Sequence, residues 1–350
     1  MKNKIYILFT LMLLFQVNQV FSQGCEGDEP VGNDSISQPN VKIFGYIQPQ
    51  FDYNFTDGDQ ANTFKFKRAR IGVLGKINKD FSYYFMLETS PFIGSSGDAY
   101  LMDAFVTYSK FNWAKMSVGS FKQPFSLEVA TACHSLTTID RAIVADQLVA
   151  PQRDMGFMVL GGNKYTQFNY WIALMNGTGL GKADGNSKKD IVARATYKLT
   201  NYLTIGGSFR HGYPIPNNNV DSRTTLGGEV LVKLDKLNLQ GEYIYDEGAY
   251  FLGTSGGCGS TPVALGEKRD GAYFMASYNI KENLQPVFKY EYFDPNIDQK
   301  NDGSYQERMT LGINYFFTNK VRLQINYQAN IQTVSSVKDD ALLAQMQIRF

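Results

Sequence analysis

Hydrophobic and polar residues alternate along most of this chain with a period of two. In KVRLQINYQANI, residues 320–331, one face carries apolar side chains and the other carries Arg, Gln and Asn. Strict alternation is the pattern of a β-strand with one apolar and one polar face. Marking every such run predicts about sixteen strands, at residues 42–54, 63–77, 81–90, 99–109, 115–123, 155–162, 167–176, 189–199, 203–211, 223–234, 237–247, 270–280, 284–294, 305–317, 320–332 and 341–350.

The connections between these strands alternate in length. Short turns such as 200–202 and 235–236 follow even-numbered strands, and polar loops such as 177–188 and 248–269 follow odd-numbered ones. Strands of roughly 9–11 residues, short periplasmic turns and longer outer loops are typical of outer-membrane barrels. The sequence therefore predicts an all-β fold, a transmembrane antiparallel β-barrel with its apolar face toward lipid and an aqueous lumen.

The last ten residues read as a strand rather than as a polar tail. Alternation puts Gln345, Gln347 and Arg349 on the lumen face and ends the lipid face at Phe350. An open strand edge is not tolerated in lipid, so this strand is expected to pair with the first. Aromatic residues are enriched at membrane interfaces, where Phe350 is expected to lie. Further lipid-facing candidates for such girdles are Tyr53, Tyr83, Tyr243, Tyr290, Tyr292 and Tyr327.

The N-terminal residues predict export. Lys2 and Lys4 precede an apolar run at 5–15, and the small residue Ser22 suits cleavage of a secretory signal. A membrane anchor is the alternative, although the apolar run is too short to span a bilayer. The expected organisation is a signal peptide at 1–22, a polar periplasmic leader at 23–41 and an outer-membrane barrel of a Gram-negative bacterium at 42–350.

Composition excludes some function classes. The net charge is +1 and the mean hydropathy is −0.27, so no nucleic-acid partner is expected. Cys25, Cys133 and Cys258 are an odd number; Cys133 and Cys258 fall in loops on the same side, and their pairing stays open. The spacing of these residues indicates no metal site, and no cofactor is expected.

The connection at 124–154 is the longest in the chain. Loops longer than about 15 residues without regular structure are usually functional or disordered, and this one contains enough apolar residues to pack. We expect it to fold into the barrel and narrow the pore. The alternative is a cap or adhesin outside the barrel.

Charged residues on the predicted lumen face are unbalanced. Arginine on the lipid face would cost several kcal/mol near the midplane, so the charged residues are assigned to the lumen. The basic members are Lys42, Arg68, Arg70, Lys76, Lys115, Arg194, Lys198, Arg210, Arg223, Lys233, Lys289, Arg308, Arg322 and Arg349; the acidic members are Asp52, Glu88, Asp103, Glu229, Glu242, Asp246 and Glu291. Rings of Lys and Arg favour anions, unless the charges pair across strands.

An enzyme is not expected. His134 and His211 are the two histidines, and the adjacency of His134 and Ser135 is no evidence of a catalytic triad. Besides an anion channel, a non-selective porin or a plugged barrel acting as an adhesin or structural protein is possible. Small residues on the lumen face, such as Gly72, Gly206, Gly227 and Gly312, favour an open lumen.

Several stretches resemble the phosphate-selective porin O and P family over about residues 40–350: FKRARIGVLGKI, LMDAFVTY, VGSFKQPFSLE, RDMGFMVLG, WIALMNGTG and the ending MQIRF. The resemblance implies a sixteen-stranded porin, commonly a homotrimer, for passive diffusion of small anions, with phosphate or polyphosphate among the candidates. Outer-membrane lipid and the outer-membrane assembly machinery are further expected partners. The residues expected to guide anions at the lumen or constriction are Arg68, Arg70, Lys122, Arg141, Arg153, Arg194, Arg210, Arg308 and Arg322.

Overall fold

The computed structural model describes residues 40–55, 62–94, 98–250, 263–299, 304–331 and 340–350. Among these residues, sixteen antiparallel strands close into one barrel. The strands are β1 (Lys42–Asn54), β2 (Asn62–Lys76), β3 (Phe81–Glu88), β4 (Tyr100–Tyr108), β5 (Lys115–Lys122), β6 (Arg153–Gly161), β7 (Phe168–Met175), β8 (Asp190–Lys198), β9 (Leu203–Gly212), β10 (Arg223–Lys233), β11 (Leu237–Gly248), β12 (Lys268–Tyr278), β13 (Leu284–Asp294), β14 (Gln306–Phe316), β15 (Val321–Asn330) and β16 (Ala341–Arg349). The predicted signal peptide, most of the predicted leader, Cys25 and Cys258 lie outside the described residues.

The alternation of residues along each strand sets its two faces. In β15, Gln324 and Asn326 are buried inside the barrel, while Ile325 and Tyr327 are exposed on the outer wall. Successive side chains of a strand point to opposite sides of the sheet, so a period of two separates lumen from lipid. The prediction of a transmembrane antiparallel barrel is confirmed.

Closure of the barrel depends on the last strand. β16 pairs with β1 on one side and β15 on the other. Beyond β16, the backbone N–H of Phe350 donates to the carbonyl of Gly45 at 3.0 Å, and Gly45 donates back at 3.3 Å. The predicted pairing of the last strand with the first is confirmed.

Connection lengths also follow the prediction. Even-numbered strands are followed by short connections, for example 199–202 and 234–236, and odd-numbered ones by longer connections, for example 213–222. Because strand direction alternates, all the short connections lie at one end of the barrel, together with the start of β1 and the end of β16. We call this the turn end.

Short helices occur in the long connections. They are α1 (Pro91–Gly94), α2 (Leu127–Ala130) and α3 (Ile143–Leu148), with a 3₁₀ turn at Cys133–Ser135. Among the described residues, no helix is long and apolar enough to cross a membrane.

Candidate functional site

The connection between β5 and β6, residues 123–152, lies inside the barrel; we call it the β5–β6 loop. It contains α2, the 3₁₀ turn and α3. Val144 and Leu148 of α3 are fully buried and pack in one apolar cluster with the inward side chains Ile244 and Phe293. The loop therefore crosses the space enclosed by the barrel.

A wall carboxylate holds the start of α2. The hydroxyl of Ser126 donates to Glu242 Oε2 at 2.9 Å, and the backbone N–H of Leu127 donates to Glu242 Oε1 at 3.1 Å. Ser126 Oγ also accepts from the N–H of Val129 at 3.2 Å, so it caps the helix. The first N–H groups of a helix have no partner within it, and Glu242 of β11 accepts from one of them.

Charged wall residues hold both ends of α3. At its start, the N–H of Ile143 donates to Glu291 Oε2 at 2.6 Å. At its end, Arg210 and Arg223 each donate to the carbonyl of Leu148 at 2.8 Å. An anion at the N-terminus and cations at the C-terminus both complement the helix dipole. These contacts fix α3 against β9, β10 and β13.

An apolar cluster fills the lumen beside α3. A Cβ atom on Gly227 would lie 3.2 Å from the ring of Phe125 in the loop, so Gly227 leaves no open space. This cluster comprises Phe121, Phe125, Val129, Ala142, Ile143, Val144, Ala145, Leu148, Val149, Met158, Leu160, Trp171, Ala173, Met175, Val192, Ile244, Tyr273, Met275, Val287 and Phe293. The expectation that small inward residues leave the lumen open fails at Gly227, because Phe125 of the loop occupies the space beside it.

The segment at 131–140 rests on the opposite wall. Lys67 of β2 pairs with Asp140 at 2.7 Å, and Gln328 of β15 donates to the same carboxylate at 3.1 Å. Burial alone would raise the pKa of Asp140, but Lys67, Arg308 and the Gln328 hydrogen bond outweigh it and hold that pKa below its usual range. Asp140 is therefore ionised at neutral pH and bound to β2 and β15.

Beneath the β5–β6 loop, a cavity of about 350 Å³ opens toward the turn end. A second cavity, of about 280 Å³, shares the lining residues Ser135, Thr137 and Gln285 with it. We call the two together the vestibule. The first is lined by the charged residues Lys164, Arg194, Lys198, Lys233, Glu128 and Glu229, and the second by Lys320, Arg322 and Arg349. The described lining residues of the vestibule thus include seven cationic side chains and two carboxylates.

The sequence matches the family described as phosphate-selective porin O and P over residues 41–227 and 217–350. The chain belongs to this family. It is an outer-membrane protein, and the family and location predicted from the sequence are confirmed. The turn end of the porin is accordingly its periplasmic end.

Known proteins resemble the porin in sequence and in fold. Porin O of Pseudomonas aeruginosa is 29% identical over 183 residues, which cover 49% of this chain and 41% of Porin O. The outer membrane channel DcaP of Acinetobacter baumannii superposes with a TM-score of 0.66 at 12% identity, covering 92% of this chain and 100% of that one. OmpT of Vibrio cholerae, solved in a trimer form, gives 0.60 at 13% identity, covering 89% and 100%. The two structures show the shared fold alone.

The basic residues predicted to guide anions through the porin lie mostly in buried contacts. Three make ion pairs with other strands: Arg70 with Glu88 on the adjacent strand at 2.7 Å, and, two strands away, Arg153 with Asp103 at 3.1 Å and Arg194 with Glu229 at 2.6 Å. Three donate to amide side chains: Arg68 to Gln48 at 2.9 Å, Arg308 to Asn330 at 2.6 Å and Arg322 to Gln347 at 3.1 Å. These six residues are thus engaged in contacts with other strands of the wall.

The other three predicted residues contact the β5–β6 loop of the porin. Lys122 and Arg141 donate to the carbonyl of Thr131 at 3.4 and 2.9 Å. Arg210 donates to the carbonyls of Leu148 and Ala150. Of the nine predicted residues, Arg194 and Arg322 line the vestibule.

Arg269 is a buried basic residue that the sequence analysis misses. The predicted strand begins at residue 270, whereas β12 begins at Lys268. Arg269 is fully buried and donates to Asp246, which also accepts from Arg223 at 2.8 Å. Starting the predicted strand one residue earlier would have placed Arg269 on the lumen face. Within the loop, no period of two marks Glu128 or Asp140, so the pattern carries no signal for them.

Proposed function

We propose that this porin is a passive diffusion channel for small anions, with phosphate-like oxyanions among its solutes. The observation that carries the proposal is the excess of cationic side chains in the vestibule. Lysine and arginine lining a pore favour anions, and a cavity with low-dielectric walls strengthens their field.

The basic charge of the vestibule is uneven. Arg194 is held by both oxygens of Glu229, at 2.9 and 2.6 Å, so that pair is close to neutral. The lobe lined by Lys320, Arg322 and Arg349 contains no carboxylate among its described lining residues. The strongest attraction for an anion is therefore expected in that lobe, between β14, β15 and β16.

The proposal has two more specific parts: phosphate is a solute of the channel, and the protein assembles as a homotrimer. The family description and the partial likeness to Porin O support phosphate as a solute. The trimer form of OmpT supports a trimer for a barrel of this fold. Lipid around the outer wall and assembly machinery that binds the last strand are proposed on the exposed apolar surface and on the terminal Phe350.

A plugged barrel with a structural or adhesive role is the second candidate. The packed β5–β6 loop favours it, because the loop fills the lumen beside α3. A non-selective porin is the third, and the cationic excess of the vestibule counts against it. A planar-bilayer recording separates all three.

The first prediction concerns anion preference. In a KCl gradient, the reversal potential of the reconstituted porin should show a preference for chloride over potassium. Replacing Lys320→Gln and Arg322→Gln together should reduce that preference about twofold or more, because two positive charges leave the lobe. The matched control is Lys79→Gln, an exposed residue in a periplasmic turn. Cation preference in the unmodified porin would defeat the proposal.

A further inference from the structure

The barrel is filled around most of its wall at the level of the β5–β6 loop. Inward polar side chains on strands far apart around the barrel have almost no exposed surface: Gln48 1%, Arg70 3%, Arg223 4%, Glu291 0% and Gln324 1%. Side chains that line a water-filled channel are exposed to that water. In this conformation, the described part of the loop therefore closes the lumen.

The two halves of the loop are attached with different strength. The half that contains α3 packs in a cluster of twenty buried apolar residues, and charged wall groups bind both helix ends. Burial of apolar surface contributes roughly 25 cal/mol per Å², so a cluster of this size is costly to open. This half is the fixed part of the loop.

The half at 131–140 is attached by far less apolar contact. Leu136 belongs to a cluster of three buried residues, and Ile139 to another cluster of three. Neutral amide side chains of the wall hydrogen-bond the middle of the segment: Gln324 and Asn314 donate to the carbonyl of Thr137, and Gln347 donates to that of His134. Charged wall groups contact the segment near its ends. Lys67 pairs with the carboxylate of Asp140 at 2.7 Å, and Lys289 donates to the carbonyl of Asp140 at 3.2 Å. Arg70 donates to Cys133 Sγ and Lys122 donates to the carbonyl of Thr131, both at 3.4 Å.

The ends of this segment are tied to each other and not only to the wall. The N–H of Ala142 donates to Glu128 Oε2 at 3.1 Å, and Arg141 donates to the carbonyl of Thr131 at 2.9 Å. The ends of the segment therefore lie close together, as in a compact Ω-loop. Displacement of residues 131–140 would leave α2 and α3 in place.

We propose that residues 131–140 are the gate of this channel, which opens by leaving the wall formed by β13–β16, β1 and β2. The segment also forms part of the roof of the vestibule, which is lined by Thr131, Ser135 and Thr137. Its departure joins the vestibule to the space above the loop. The gate rests on the proposed function, since it presumes that the barrel conducts.

The second prediction tests the ion pair. Asp140→Asn removes the negative charge that Lys67 binds and so weakens the closed position of residues 131–140. In planar bilayers, the open probability of single channels should rise about tenfold, with the conductance of the open channel unchanged. Lys67→Met should give the same rise, and the double variant no further rise, because both act on one contact.

The matched control for this test is Asp184→Asn, which breaks the exposed Lys189–Asp184 pair in an outer loop and should leave gating unchanged. Equal open probabilities for the unmodified porin, Asp140→Asn and Lys67→Met would overturn the gate. Heat-modifiable mobility on gels checks that each variant is folded.

A disulfide lock gives an independent test. The side chain of Ile139 packs in one small buried cluster with that of Leu343 on β16, so Ile139→Cys and Leu343→Cys form the pair to cross-link. In a background with the native cysteines replaced by serine, oxidation should abolish the current, and a thiol reductant should restore it. The same background without the new pair is the control.

An undiminished current after oxidation, with the disulfide verified by mass spectrometry, would overturn the gate. The proposed function fails differently. A cation-preferring current that still responds to the lock refutes the anion proposal and keeps the gate, whereas the absence of current from every variant refutes both.

Discussion

At the residue scale, a charged side chain on the lumen face does not have to serve the solute. Arg70 lies on the predicted lumen face, yet it is buried against Glu88, Tyr46 and Cys133. The strand pattern places such a residue inside the barrel but does not reveal what lies beside it there. The partner comes from a neighbouring strand or from the β5–β6 loop, and it turns an expected pore charge into a structural contact.

The third prediction follows from this pair. Arg70→Ala leaves the buried Glu88 without its cation and should destabilise the porin by about 3–5 kcal/mol. The double variant Arg70→Met with Glu88→Gln should lose less, because no charge is left unpaired. Urea unfolding in lipid vesicles, followed by tryptophan fluorescence, measures both.

The control for that comparison is Lys189→Ala, which breaks an exposed pair worth about 0–1 kcal/mol. If Arg70→Ala proved as stable as Lys189→Ala, the Arg70–Glu88 pair would contribute little to the fold, and Arg70 would be available to solutes as first predicted.

At the element scale, α2 and α3 depend on the barrel wall. They contain four and six residues, too few to be stable alone in water. Glu242 binds the first N–H groups of α2, and Glu291 binds that of α3. The wall therefore helps to determine where both helices begin, together with the N-cap Ser126 in α2, and no capping box in the loop sequence marks either start.

The fourth prediction concerns Glu242. Glu242→Ala removes the acceptor for Ser126 and Leu127 and should cost about 1–3 kcal/mol of local stability. The loop should then become sensitive to added protease in conditions where the unmodified porin resists it. Glu247→Ala is the matched control, since Glu247 lies on the same strand but accepts from the outward-facing Tyr245. Equal resistance of the two variants would contradict the role of Glu242.

At the scale of the whole molecule, the barrel requires all of its strands at once. Loss of β16 would expose the edges of β1 and β15, and an unpaired edge in the hydrocarbon region costs several kcal/mol for each unsatisfied group. β16 pairs antiparallel with β1 and with β15 along most of its length. The end of the chain is therefore part of the fold.

The fifth prediction is a truncation. A chain that stops at residue 340 should form no heat-modifiable barrel in lipid vesicles, as judged by unboiled gel mobility and circular dichroism. A chain lacking ten residues of the predicted leader, 23–32, is the control and should fold normally. A protease-resistant barrel from the truncated chain would show that β1 and β15 can pair directly.

The sequence by itself determined the barrel. Strand number, the two faces of each strand and the alternation of short and long connections follow from a period of two, which is local and depends on the contrast between lipid and lumen. The predicted strand boundaries were right to within a few residues. The predicted start of β12 was two residues too late, however, so Arg269 was left out of the strand. Family membership was also readable from motifs such as FKRARIG.

Only the tertiary structure decided what occupies the lumen. The β5–β6 loop has no periodic pattern, and its contacts join residues far apart in sequence, such as Ile139 with Asn326 and Ser126 with Glu242. Whether Arg70 and Arg322 bind a carboxylate, an amide or a solute depends on which groups the closed barrel brings beside them. Spacing along the chain does not encode those distances, because they arise from closure of the sheet and from the path of one loop across it.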